Sequence, residues 1–256
     1  MLHLVDKSKV GRNLKNDSGE QIDWRNLFKS SEDSFTSSIF SLLSYLPASE
    51  FWNILTDGMM NFEVAEFEIP NKLNSITFWP RWNNNNSYCE PDVFVEFDTF
   101  DLIIEAKRWD YQQQSNLQWQ IEIESYYAEF GVRDKKLALL AIGGNAENLK
   151  TEIITFNKIS VPVLKLKWRR LLDTVNTKKK SIKSETNCFL HIYNDLILSF
   201  RIHGFQTGLL FDSMPLNITL NDQNYDSIKK NVPSFFSCQN LPNIVIDNYP
   251  ELINIL

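Results

Sequence analysis

The stretch PDVFVEFDTFDLIIEAKRWD, residues 91–110, sets Asp92, Glu105 and Lys107 close to or inside two apolar runs. Ionised side chains are almost never fully buried unless paired or bound to a metal, because desolvation is costly. Side chains alternate along a strand, so Glu105 and Lys107 share one face while Ile104 and Ala106 share the other. Asp92 opens the preceding strand, and a short turn around Asp98 to Asp101 brings it back beside Glu105. Two carboxylates so placed repel, and one is driven to protonate unless a cation lies between them. A hard divalent ion with oxygen ligands, Mg2+ or Mn2+ in its place, resolves the conflict. Lys107, one pleat away, is placed to hold or deprotonate a water near that ion. A structural arrangement competes: Asp92 as a turn residue and Glu105–Lys107 as an ion pair at a sheet edge. That pair is expensive in a strand that reads as central.

The surrounding chain must supply the elements that position these groups. The segment SSEDSFTSSIFSLLSYLP reads as a helix capped by Ser30, with Asp33 three residues on, and stopped by Pro47. Phe35, Ile39, Leu42, Leu43 and Leu46 form its buried stripe, with Glu32 at the head of the same face. Glu32 either points toward the site or simply complements the helix dipole. NFEVAEFEI, SITFWPRW, DVFVEF and DLIIEAK read as strands, with the asparagines at 83–86 as a loop. SNLQWQIEIESYYAEFG is helical: Trp119, Ile123, Tyr126, Tyr127 and Phe130 make a stripe, and Gln118 and Glu122 share one edge of it. LALLAI reads as a central strand covered on both faces. NAENLKTEIITF then reads as a helix, VPVLKLKW as a strand, RRLLDTV as a helix and ETNCFLHIYNDLILSFRIHG as a longer helix. From Gly204 on, short strand-like pieces indicate a less regular part.

Pro91-Asp92, followed thirteen residues on by Glu105-Ala106-Lys107, resembles the PD-(D/E)xK nuclease superfamily. The resemblance spans about residues 30–205. It rests also on the acid-bearing helix with Glu32, the Gln118-bearing helix, LALLAI, VLKLKWRRLL and HIYNDLILSF in their order. It implies an α/β chain with a three-layer α/β/α restriction-endonuclease-like core and a mixed central sheet. Residues 1–29 are then an irregular lead-in and 206–256 a C-terminal extension packed on the core. The resemblance also implies a Mg2+-dependent deoxyribonuclease, Mn2+ substituting, that leaves a 5′-phosphate and a 3′-hydroxyl. Asp92, Glu105 and the Ala106 carbonyl become metal ligands, and Glu32 adds a carboxylate directly or through water. Lys107 positions the attacking water and Gln118 orients Lys107 or the scissile phosphate. The chain looks most like bacterial nucleases or nuclease subunits, many of them linked to phage defence. A silent nuclease-like module that binds nucleic acid or protein, and a nuclease acting on RNA, stay open beside this reading.

Composition sets the outer limits. With 256 residues, 43% hydrophobic and 23% charged, the chain is of ordinary globular type. It has no apolar run of the roughly 18 residues that span a bilayer, and its start lacks a signal-peptide core. Three separated cysteines read as idle thiols in a reducing compartment, so a cytoplasmic protein without membrane contact is expected. Net charge is −6, yet residues 150–184 hold ten basic residues and two acids, a local +8. Lys165, Lys167, Arg169, Arg170, Lys178, Lys179 and Lys180 are the candidate DNA-backbone contacts, with NTKKKSIKS as a solvated loop the alternative. An acidic enzyme with one basic segment leaves room for a partner subunit or a homodimer. The three histidines are scattered, and no Ser-His-Asp order or phosphate loop is present. Trp109 and Trp168, flanked by charges, are candidates for stacking on bases.

Overall fold

Val93–Phe97 and Phe100–Ala106 (β4 and β5) form an antiparallel hairpin around Asp98-Thr99, in a register that runs from Val93 opposite Ile104 to Glu96 opposite Asp101. The structure, a computed structural model, describes residues 18–20, 31–59, 67–84, 87–110, 114–145, 150–182 and 189–205. The remaining elements are α1 (Glu32–Leu43), α2 (Ala48–Gly58), β1 (Leu73–Phe78), β2 (Trp82–Asn84), β3 (Ser87–Cys89), α3 (Asn116–Phe130), β6 (Lys136–Ile142), β7 (Glu152–Phe156), β8 (Ile159–Leu166), α4 (Trp168–Ser181) and α5 (Phe189–Ile202). Six strands make a mixed sheet in the order β1-β4-β5-β6-β8-β7, parallel between β5, β6 and β8 and antiparallel elsewhere; β2 and β3 form a separate ribbon.

The alternation of the strands feeds two cores. Val93, Val95, Leu102, Ile104, Ala106, Leu140 and Leu164 face one side, packed with Phe35, Trp52, Trp168 and Phe200 from α1, α2, α4 and α5. Phe94, Ile103, Leu139, Ala141 and Val163 face the other, under Trp119, Ile123 and Tyr126 of α3 and Trp82 of the ribbon. The chain is therefore α/β, with helices covering both faces of a mixed sheet. The covered central strand read from LALLAI is β6, buried along all but its first residue.

Several elements differ from the sequence expectation. The α1 cap is Ser31, whose side chain accepts from Ser34 N–H at 3.1 Å, and the helix ends at Leu43, before Pro47. Pro47 instead precedes α2, whose buried face (Ala48, Phe51, Trp52, Leu55) recurs at helical steps. The helix expected over NAENLKTEIITF is, in its described part, the edge strand β7. Two adjacent isoleucines and Thr155 favour extended backbone, and Asn157-Lys158, both at positive φ, close a two-residue hairpin onto β8. Asn83 and Asn84 belong to β2 rather than to a loop. The lysine run Lys178–Lys180 is the last turn of α4, where cations complement the helix dipole, and not a loop. The strand expected over NFEVAEFEI and the expected cap Ser30 lie wholly or mainly outside the described residues. The chain divides into two units, Met1–Thr207 and Gly208–Leu256, and the second lies outside the described residues. Among the described residues no helix is long and apolar enough to cross a membrane.

Candidate active site

Carrying the β4–β5 register one step outward sets Asp92 across from Glu105. The Asp92 Oδ2 accepts from the Ala106 backbone N–H at 2.8 Å, which fixes the first carboxylate at the end of β5. Glu105 is 2% exposed and points to the α3 side of the sheet, the same side as Lys107; Ala106 enters the opposite core. Lys107 Nζ donates to Glu105 Oε1, so the sequence-predicted pair is a contact. Glu32, the first residue of α1, accepts through Oε2 from the Arg108 backbone N–H, which places a third carboxylate at the same strand end.

Electrostatics follow from this crowding. Burial, then the Glu105 carboxylate, push Asp92 up to about 7, against the lowering effect of the Ala106 N–H and Lys107. Glu122, from α3, is 1% exposed and lies well above the usual carboxylate range, through burial and then its proximity to Glu105 and Asp92. Its Oε2 has no hydrogen-bond partner among the described residues. Burial pulls the Lys107 ammonium down, but Glu105, Glu32 and Asp92 outweigh it and its pKa is raised. Cys89, at the end of β3, has its thiol pushed up to about 11 by burial and by Glu122.

The amides take different parts from those expected. Gln118 stands beside Glu122 and draws its pKa partway back down. Gln114, just before α3, ties the strand ends together: its Nε2 donates to the carbonyls of Glu105 (3.2 Å) and Gly143 (3.3 Å), and its Oε1 accepts from Trp119 Nε1 at 2.8 Å. Glu122 had a signal in the sequence, since it shares an edge of α3 with Gln118. Gln114 had none, because its role depends on a loop conformation. Trp168 is fully buried and cannot stack on a base; its Nε1 instead donates to the Lys107 carbonyl at 2.7 Å. Gly143, at φ +70°, makes room for that contact: a Cβ there would overlap the Lys107 carbonyl and lie 2.7 Å from Trp168 Nε1.

The basic residues separate into groups. Lys165 is 6% exposed, faces Trp119 at 5.5 Å and pairs with Glu152, so it is not a surface cation. Lys178 pairs with Asp57 at 3.0 Å and Glu50 at 3.5 Å. Lys167 is half-buried, and Arg169 and Arg170 are exposed at the start of α4, next to Trp168 and hence to Lys107. The first amides of α4 are already taken: Asp110 accepts from Trp168 N–H at 2.8 Å and Arg169 N–H at 3.2 Å.

No family model matches the chain. Over 188 residues it is 32% identical to an uncharacterized protein, PM0110, of Pasteurella multocida (strain Pm70), covering 68% of this chain and 69% of that protein. The chain belongs to the family of that protein. The relationship carries no activity with it, so the chemistry of the site rests on its own residues.

Among the described residues no three His, Cys, Asp or Glu side chains are arranged to hold a metal ion. Asp92, Glu105 and Glu32 are each engaged by an internal donor, and the Lys107 ammonium meets Glu105 where a cation would. The donor chemistry itself fits a hard cation: acids raised by burial and by mutual repulsion, and an orphaned, buried Glu122 oxygen. Such an ion would take Glu105 over from Lys107.

Proposed function

We propose that the chain is a metal-dependent nuclease that hydrolyses phosphodiester bonds of DNA. The observation that supports it is the hairpin register that sets Asp92 across from Glu105 with Lys107 on the same face, in a pocket of acids that repel one another. Asp92, Glu105 and the Ala106 carbonyl would hold Mg2+ or Mn2+, with Glu32 and Glu122 beside them. The bound ion would supply charge neutralisation at the phosphate and a more acidic water. Lys107, released from Glu105, orients the attacking water and stabilises negative charge on the phosphoryl oxygens. Gln114 and Trp168 hold the backbone that carries Glu105 and Lys107.

The internal satisfaction of the acids favours a second reading, a nuclease-like module that binds nucleic acid without cutting it. Incubation of the purified protein with plasmid, linear and single-stranded DNA, in Mg2+, Mn2+ or EDTA, separates the two. Metal-dependent cleavage that Asp92→Ala and Glu105→Ala abolish supports the nuclease. Binding without cleavage under every metal condition supports the silent module.

A further inference from the structure

Two tryptophans border the candidate site with partly open rings. Trp109 is 40% exposed and follows Lys107 by two residues; Trp79 is 37% exposed and donates its backbone N–H to the Asp92 carbonyl at 3.1 Å. β1, β4 and β5 are adjacent and successively antiparallel, so the end of β1, the start of β4 and the end of β5 meet at one end of the sheet. The strands that lead to the two rings are two spacings apart, about 10 Å, with the Asp92 strand between them.

Both residues are held at the backbone. Trp79 adopts φ +50°, a region that bulky residues enter only where their surroundings impose it. The Trp109 carbonyl accepts from Gly144 N–H, and the Arg108 guanidinium lies 4.5 Å from the Trp109 ring centroid. Arg108 is 5% exposed, over Phe35 and Phe205, and its side chain donates to the His203 carbonyl. Single exposed apolar residues are ordinary on a protein surface. Two part-exposed indoles at one end of the sheet beside the same carboxylates, one of them at a backbone cost and the other backed by a guanidinium, have a shared chemistry: exposed aromatic rings are platforms for nucleobases, whatever the sequence.

We infer that Trp79 and Trp109 stack on unpaired bases of a single-stranded nucleic acid whose backbone crosses the Asp92–Glu105–Lys107 site, an inference that rests on the nuclease reading of that site. In a duplex the base faces are occupied by their neighbours, so single strands or splayed ends are the substrate class. The test is equilibrium binding in EDTA, by anisotropy, to a labelled oligothymidylate, an abasic strand of equal length and a duplex. Wild type should prefer the oligothymidylate, and Trp79→Ala and Trp109→Ala should each weaken that binding by about five- to a hundred-fold. Binding to the abasic strand should not change, and the Phe variants should keep most of the affinity. Quenching of intrinsic fluorescence by oligothymidylate but not by the abasic strand reads the same contact in the unaltered protein. Equal wild-type affinity for the two strands, or duplex preference insensitive to both Ala variants, overturns the inference. A cleavage assay with Mg2+ separates the failures. Tryptophan-dependent binding without cleavage by wild type sinks the nuclease and keeps the stacking, whereas cleavage with tryptophan-independent binding does the reverse.

Discussion

At the scale of single residues, the site is a set of acids that the fold holds in an unfavourable neighbourhood. Asp92 titrates near 3.8 when exposed and is raised to about 7 in the fold by burial and by Glu105. A raised carboxyl binds more protons folded than unfolded, so its contribution to stability is complete below the lower value and is lost as pH climbs through the higher one. Glu122 is raised for the same reasons and acts in the same direction. In EDTA these carboxyls lower the melting temperature as pH rises from about 4 to about 7, against the buried His203, which burial lowers to about 4 and which acts the other way over the same window. Asp92→Asn, which keeps an oxygen to accept from Ala106 N–H, should flatten that fall and melt above wild type at about pH 8. Because His203 is common to both proteins, the readout is the difference between them: wild-type and Asp92→Asn melting temperatures that run parallel across this window would remove the repelling cluster from the account. Lys107 makes a separate prediction. Lys107→Ala should slow cleavage by about a hundred- to ten-thousand-fold while nucleic-acid affinity barely moves. Lys107→Arg should not rescue it, since the planar guanidinium does not match the compact ammonium in shape. Because Lys107 pairs with the buried Glu105, turnover is read per mole of folded protein, with circular dichroism alongside.

At the scale of elements, the end of β6 decides how closely three strands approach. Gly143→Ala should cost about 3 kcal/mol or more, the upper range of single substitutions, because the added carbon meets the Lys107 carbonyl and Trp168. Gly131→Ala provides the control, with a similar φ of +68° and nothing within 4 Å of the added carbon. At ψ −171° it should cost only the backbone term of about 1–3 kcal/mol, less than Gly143→Ala, and leave cleavage intact. Comparable losses in urea melts of both variants would refute the packing argument. The hairpin and β6 were legible in the sequence as short apolar runs bounded by turn residues, and α3 because its apolar residues recur at helical steps. Asp92, Glu105 and Lys107 were legible because charge inside an apolar strand is rare. β7 reads as a helix in the sequence because an edge strand of five residues, two exposed and three half-buried, offers a short and ambiguous period. The α2 stripe is regular but lies against Pro47, which marks a helix start as readily as a stop. Gln114, the Glu122–Glu105 approach and the Trp168–Lys107 contact depend on pairings across the chain that no local pattern encodes.

At the scale of the molecule, an acidic chain must still bring a polyanion to a cluster of carboxylates. The +8 segment is less available than its composition indicates, since Lys165 is buried against Glu152 and Lys178 is held by Glu50 and Asp57. The remaining basic residues at α4 are split along it. Lys167, Arg169 and Arg170 stand where Trp168 reaches the Lys107 carbonyl, whereas Lys179 and Lys180 lie about 15 Å further along the helix axis. Asp110 takes the first two amides of α4, so a phosphate there is held mainly by side chains. Each phosphate neutralised contributes about 0.9 to the log–log salt slope on duplex DNA and about 0.7 on a single strand. Arg169→Ser with Arg170→Ser should therefore flatten the slope by up to about 1.8 on duplex and about 1.4 on single strands. Lys179→Ser with Lys180→Ser should change it little, because charges beyond about 10 Å from the bound strand are screened at ordinary ionic strength. The measurement is affinity against salt for both double variants on both substrates. If the lysine pair carried the larger change, the strand would lie along the far end of α4, away from Asp92 and Glu105. If neither pair changed it, the phosphate contacts would have to come from residues other than these four, and the exposed charges of α4 would have no part in presenting a substrate to the site.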